Sequence, residues 1–181
     1  MQFMLIYDEY LFSRKCLILQ FQARGFHWTS RENLHLTLKF IGDVDSVLQD
    51  EIERVLGEVT TEPFILPVET IGFFPATGKP FVLWAGVGAG HPRLFGMQKD
   101  IEDRLFNIGI EPERRRYRPH ITIARCNTAS PEAVKLFAKK HREFSAPPFR
   151  VESFSLYSSH QTPEGTIYRE ESRWTLNGKA M

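Results

Sequence analysis

Cysteine is scarce in this chain. The two present, Cys16 and Cys126, are too few for a disulfide framework and read as reduced core thiols. No apolar run approaches the length of a membrane span, and the N-terminus lacks the charged, apolar and cleavage regions of a signal peptide. The chain is therefore expected to be soluble and cytoplasmic, with no membrane partner. Charge of one sign is also missing. Lys and Arg number 23 against 22 Asp and Glu, a net +1, so no global field draws in long nucleic acid, and any polyanion must be met locally on a small footprint. No low-complexity linker divides the 181 residues, so 1–181 is expected to be a single two-lobed domain. Glycine clusters once, at Gly86-Val87-Gly88-Ala89-Gly90, but without the Gly-Lys-Ser/Thr ending of a phosphate loop. A turn after a strand is expected there.

Two short stretches nearly repeat each other. Residues 34–40 read Leu34-His35-Leu36-Thr37-Leu38-Lys39-Phe40, and residues 119–125 read Pro119-His120-Ile121-Thr122-Ile123-Ala124-Arg125. Alternation with period two marks a half-buried strand. On that reading Leu34, Leu36, Leu38 and Phe40 face inward, while His35, Thr37 and Lys39 face outward. In the second copy Ile121 and Ile123 face inward, and His120 and Thr122 outward. Each strand thus presents an imidazole and, about 7 Å further along the same face, a hydroxyl. One His-x-Thr is commonplace. Two copies, each about equally placed in its half of the chain, point to a shared site built from both halves.

Around these motifs the periodicity predicts a first strand at 3–7, a helix over about 11–24 and a helix over 46–59. Strands follow near 64–71 and 81–87. A helix over 92–107 is predicted with Leu94, Phe95, Ile101, Leu105 and Phe106 inward, and another starts at Ser130-Pro131-Glu132. Final strands are predicted near 149–156 and 167–176. Helices alternating with short strands in hairpin-length loops favour an α+β fold with mainly antiparallel sheet.

Two imidazoles titrating near neutrality suit paired acid–base work, one neutral to take a proton and the other charged to give one. In-line displacement at phosphorus is the reaction this serves best, and the hydroxyls of Thr37 and Thr122 can donate to non-bridging oxygens. A small cyclic phosphodiester is a fitting substrate, because its ring opening needs a base on one side and an acid on the other. Arg125 lies just beyond the second motif, where an arginine can hold a phosphate with bidentate geometry. Arg114 and Arg115 read as solvated loop residues. Arg118 stays open, and Tyr117 is either core or a stacking surface for a base. A zinc site on His35 and His120 would need a third ligand; His27 is the nearest candidate, and no cluster has ligand spacing. His91, His141 and His160 are accounted for by solvent exposure.

The two motifs resemble the twin His-x-Thr-x motifs of the two-histidine (2H) phosphoesterase superfamily. More closely, the chain is similar to the RNA 2′,3′-cyclic phosphodiesterases, also called 2′-5′ RNA ligase-like proteins. The resemblance runs through residues 32–42, Gly72-Phe73-Phe74-Pro75, Val82-Leu83-Trp84-Ala85-Gly86, residues 117–125 and Phe154-Ser155-Leu156-Tyr157. It implies a bilobal pseudo-two-fold α+β fold, with two mainly antiparallel sheets lining a central cleft and helices packed outside. It implies His35 as proton donor to the departing 3′ oxygen and His120 as proton acceptor from water, giving a 2′-phosphomonoester. It also implies Thr37, Thr122 and Arg125 as phosphate-binding residues, no metal or ATP, and RNA ends carrying a 2′,3′-cyclic phosphate as the partner of a monomer. Two other readings remain: ATP-independent 2′-5′ ligation by the same site, and a non-catalytic RNA-end binding module. Asp8-Glu9-Tyr10-Leu11-Phe12 departs from the family, which usually has a proline there.

Overall fold

The computed structural model describes residues 2–5, 25–163 and 165–177. The helix expected at 11–24, Cys16 and the 8–12 segment lie outside these. Among the described residues the strands are β1 (Gln2–Leu5), β2 (His27–Trp28), β3 (Leu36–Phe40), β4 (Phe64–Phe74), β5 (Val82–Val87), β6 (His120–Arg125), β7 (Ser145–Val151), β8 (Ser153–Thr162) and β9 (Gly165–Thr175). Three α-helices, α1 (Ser46–Leu56), α2 (Pro92–Asn107) and α3 (Pro131–Lys140), accompany them.

The sheet order is β7-β4-β5-β6-β3-β1-β8-β9, with β2 against β6. Every pairing is antiparallel. The order is a palindrome of roles. Each motif strand, β6 or β3, is followed outward by another short strand, then by a long strand and an edge strand. The two halves meet at one register pair, Leu36 with Ile121. Beyond it β2 takes over the edge of β6, at Ala124 and Arg125, so the halves separate there. The two sheets expected from the resemblance are thus joined into one at a single buried contact.

Local chemistry explains the helices. Ser130 accepts from Ala133 N with Pro131 in the first turn of α3, as predicted, and Asp45 caps α1 by accepting from Leu48 N. Helix α1 buries Ile52, Val55 and Leu56, and α2 buries Leu94, Met97, Ile101 and Leu105. Phe106, expected inward, is 58% exposed. It lies off the stripe that the other four residues set at helical spacing. The single strand expected at 149–156 is two, β7 and β8, separated at Glu152. Strand β7 carries Pro147 and Pro148 and lies at the sheet edge, where a missing N–H donor is tolerated. Strands β8 and β9 run on to a tight hairpin, pairing Thr162 with Gly165, so His160 sits on a strand rather than in a loop.

The inward set of β3 also needs correction. Phe40 is 61% exposed and Lys39 only 5%, the reverse of strict alternation. The register of β1 on β3 steps from Phe3–Lys39 to Met4–Thr37, leaving Leu38 as an extra residue. A bulge of this kind flips the faces of all that follows. Strand β6 does the same: its register on β5 steps from Leu83–Ala124 to Trp84–Thr122, leaving out Ile123. The two motifs therefore share a backbone irregularity as well as residues. Position for position, Lys39 matches Ala124 and Phe40 matches Arg125.

Candidate active site

The join between the halves positions the site. Leu36 and Ile121 are both fully buried, each burial contributing about 1.5–3 kcal/mol. Because neighbours along a strand point to opposite faces, His35, Thr37, His120 and Thr122 all emerge on the other face and frame that pair. All four are half-buried. The bulge at Ile123 then returns Arg125 to the face of His120 and Thr122, where it is exposed. An unbroken strand would have sent it to the core side. His35 senses the charges of both His120 and Arg125, so the residues singled out by the sequence converge from two strands.

Each imidazole is held in the same way. His35 Nδ1 lies 2.8 Å from the carbonyl oxygen of Asn33, and His120 Nδ1 lies 2.7 Å from that of Arg118. In both cases the partner is the backbone two residues upstream. A carbonyl only accepts, so Nδ1 carries the hydrogen in each ring and Nε2 is left as the working nitrogen. Asn33 is itself tied across the fold, donating from Nδ2 to Thr166 O at 3.2 Å. The Arg118 carbonyl is oriented by Pro119, since a residue before proline is confined to extended backbone.

Aromatic rings complete the parallel. His35 meets Tyr168 edge-on, with centroids 5.0 Å apart, and His120 meets Phe74 edge-on at 5.0 Å. Trp84 stands 6.4 Å from His120. Its indole lies where a side chain on Gly72 would be, because a Cβ there would fall 2.2 Å from the Trp84 ring. Gly72 is therefore a packing requirement of Trp84. Burial lowers the pKa of His35 most, the Asn33 carbonyl opposes this, and the charges of His120 and Arg125 lower it further. Burial also lowers the pKa of His120, against the effect of the Arg118 carbonyl.

The remaining candidates resolve individually. Tyr117 is a linking residue: its hydroxyl donates to the Thr37 carbonyl at 3.2 Å, tying the second motif's approach to the first motif. Burial pushes the Tyr117 hydroxyl up, out of the range of acid–base chemistry near neutrality. Cys126 is buried and its thiol is pushed up to about 11, chiefly by burial, which leaves it inert. His27 pairs with Arg125 in register and lies 3.3 Å from Thr128 Oγ1. Among the described residues no three His, Cys, Asp or Glu side chains converge as metal ligands. His91 is not simply exposed, as expected, but stacks on Phe64 at 5.1 Å. His141 packs on Phe137 at 4.4 Å. Gly88 and Gly90 form the expected turn, both at positive φ. No helix among the described residues is long and apolar enough to cross a membrane.

Sequence reasoning missed the two carbonyls, because a backbone acceptor has no residue signature. It also missed Tyr168, which sits on β9, far along the chain from His35.

Comparison with known proteins identifies the family and the fold. Residues 14–163 match the 2′-5′ RNA ligase superfamily. A protein of Methanocaldococcus jannaschii named RNA 2′,3′-cyclic phosphodiesterase is 31% identical over 157 residues, covering 86% of this chain and 87% of the relative. One of the same name from Thermotoga maritima is 35% identical over 159 residues, covering 84% and 82%. Among solved structures, a Thermus thermophilus protein superposes with TM-score 0.83 at 20% identity, covering 99% of this chain and 98% of its own. E. coli LigT complexed with 3′-AMP gives TM-score 0.79 at 21% identity, covering 97% and 96%. With the family match spanning most of its length, and relatives more than 30% identical covered over most of theirs, the chain belongs to the 2′-5′ RNA ligase superfamily.

Proposed function

We propose that this protein hydrolyses 2′,3′-cyclic phosphate ends of RNA to 2′-phosphomonoesters by acid–base catalysis between His35 and His120. The observation that carries the reading is the matched pair of imidazoles, each with Nδ1–H locked on the carbonyl two residues upstream. That lock leaves two Nε2 atoms, from opposite halves, for one reaction. The names of the relatives support the choice of substrate.

In the proposed reaction the cyclic phosphate sits over the Leu36–Ile121 join. His120 Nε2 takes a proton from a water molecule as it attacks phosphorus in line with the P–O3′ bond. His35 Nε2 gives a proton to O3′ as that bond breaks. The Thr37 and Thr122 hydroxyls donate to the non-bridging oxygens, where negative charge grows in the transition state. Arg125, returned to this face by the bulge, adds a guanidinium to the same anion. The lowered pKa of each imidazole favours neutral His120 as a base. The negative charge of the bound phosphate favours the protonated form that His35 needs as an acid.

The pH dependence tests the pairing. Above both pKa values neither ring can donate, and below both neither can accept, so kcat/KM follows a bell. Both pKa values are lowered from 6.5 in the free protein, and kcat/KM reports the free enzyme. The maximum is therefore expected on the acid side of 6.5, measured with a short RNA bearing a 2′,3′-cyclic phosphate. A plateau running from acid to alkaline pH, with chemistry rate-limiting, would exclude paired imidazole catalysis.

A further inference from the structure

The two imidazoles are held alike, but by different kinds of element. The carbonyl that fixes His120 belongs to Arg118, which the following proline confines to extended backbone. The ring against His120, Phe74, is on β4 in the same half of the sheet. The carbonyl that fixes His35 belongs to Asn33, the last residue of a short 3₁₀ turn (Arg31–Asn33), with Leu34 and not a proline after it. Its hold comes from the far end of the chain. Asn33 Nδ2 donates to Thr166 O at 3.2 Å. Tyr168, two residues further along β9, meets the His35 ring edge-on, with centroids 5.0 Å apart and planes at 70°. Ile167 between them is exposed, as strand alternation requires if Tyr168 faces the site. Thr166 is pinned in turn across the hairpin, its hydroxyl donating to Gln161 Oε1 at 3.2 Å. Strand order alone would not bring these groups together. Tyr168 pairs with Ser159, two residues beyond Tyr157, the partner of Gln2. His35 lies one residue beyond Leu36, the partner of Leu5 at the other end of β1. In a flat sheet the two would be about 20 Å apart along the strand direction, at about 3.3 Å per residue. The end of the hairpin therefore arches back over the open face where His35 stands. The register of β8 on β9 steps between Leu156 and Tyr157, an irregularity that bends a strand.

We infer that the end of the β8–β9 hairpin is a clamp on His35, with Asn33 and Tyr168 as positioning residues for the proton donor. This rests on the reading above, in which His35 protonates the departing oxygen. Asn33 acts through its own backbone. Its side-chain amide anchors the residue to Thr166, and the anchored carbonyl holds the Nδ1 hydrogen of His35. Tyr168 keeps the ring from turning off that carbonyl. Together they aim Nε2 at the departing oxygen, where a misplacement of about 1 Å can cost about 10²-fold in rate. No proton passes through either residue. His120 draws its carbonyl and its aromatic neighbour from its own half of the sheet, so the clamp serves one member of the acid–base pair.

Two measurements on wild type, Asn33→Ala, Tyr168→Ala and Tyr168→Phe test this. The first is ¹H–¹⁵N NMR of the neutral imidazoles, which needs no substrate. Wild type should carry the hydrogen on Nδ1 in both His35 and His120. A free neutral imidazole favours hydrogen on Nε2, so in Asn33→Ala His35 should move toward that tautomer while His120 stays unchanged. The second is turnover of a short RNA bearing a 2′,3′-cyclic phosphate. Asn33→Ala should lower kcat about tenfold, the scale of one hydrogen bond, with KM within about twofold. Tyr168→Ala should lower kcat about fivefold, the scale of one aromatic contact, and Tyr168→Phe, which keeps the ring, should restore it. In Asn33→Ala, a His35 that keeps its hydrogen on Nδ1 would overturn the inference, as would a tautomer change with no loss of kcat. Disturbance of both rings together would reduce Asn33 to a structural residue and overturn it too. Turnover that survives His35→Ala, or a wild type inactive on the cyclic phosphate, would overturn the hydrolysis reading instead, and the NMR would still decide whether the hairpin holds the ring.

Discussion

Replacing His120 by alanine is expected to lower kcat for 2′,3′-cyclic phosphate hydrolysis by about 10²–10⁴-fold, the usual contribution of a positioned acid or base. His35→Ala should cost a similar factor. The double variant should fall little further than either alone, because acid and base act in one concerted displacement and their losses do not add. The limbs of the pH profile separate the roles. In His120→Ala the rise of kcat/KM from low pH should vanish, since the group that must lose its proton is gone. In His35→Ala the fall toward high pH should vanish instead. Binding of the cyclic phosphate should change much less than turnover in both. A non-catalytic RNA-end binding module would show no turnover in the wild type. Retention of most activity in either single variant would remove that histidine from the mechanism.

The second large effect is on stability and comes from Lys39. Its ammonium donates to Glu102 Oε1 at 2.6 Å and to the Glu111 carbonyl at 2.8 Å. The same Glu102 oxygen accepts from Glu113 N at 2.6 Å, and its other oxygen from Gln98 at 2.7 Å. One ion pair thus fastens the first motif strand to α2 and to the loop that leads into the second motif. Lys39 is 3% and Glu102 17% exposed at the side chain. Burial alone would push the Glu102 carboxyl up; the hydrogen bonds from Lys39, Glu113 and Gln98 reverse this and hold it below 4.5. A carboxylate depressed in the folded state contributes stability that is present above 4.5 and is lost as pH falls through its folded value.

Lys39→Met leaves that carboxylate partly buried without its cation, and should cost about 3 kcal/mol. In a domain of this size this lowers Tm by about 6–12 °C. Lys39→Met combined with Glu102→Leu should recover most of the loss, because an apolar pair of similar volume often equals a buried ion pair. Thermal melts of the two single variants and the double form the cycle that checks this. Equal Tm in Lys39→Met and wild type would show that the pair does not hold the loop.

Much of the site was legible in the chain because a strand exposes its pattern directly. Period-two alternation set His35, Thr37, His120 and Thr122 on one face, and the near-repeat implied two related halves. The pattern could not reveal the bulges at Leu38 and Ile123. A bulge is set by which partner residues pair, and it reverses the face of every residue beyond it. For that reason Lys39 was assigned to the open face and Phe40 to the core, and both are the other way round. The same irregularity turns Arg125 toward the site. The carbonyls of Asn33 and Arg118 carry no residue signature, although Pro119 restricts one of them. The place of Tyr168 over His35 depends on strand order and on how the β8–β9 hairpin bends, which no local pattern contains. The prolines of β7 hid a strand, because edge position alone makes them acceptable.

The central claim is that the two locked imidazoles open a cyclic phosphate toward the 2′ position. The most direct measurement incubates the protein, in excess EDTA, with a short RNA ending in a 2′,3′-cyclic phosphate. Chromatography then resolves the 2′- from the 3′-monophosphate. The account predicts the 2′-phosphate alone, formed with EDTA present and abolished in His35→Ala and His120→Ala. A 3′-phosphate, a mixture of the two, or turnover that persists without either histidine would contradict it.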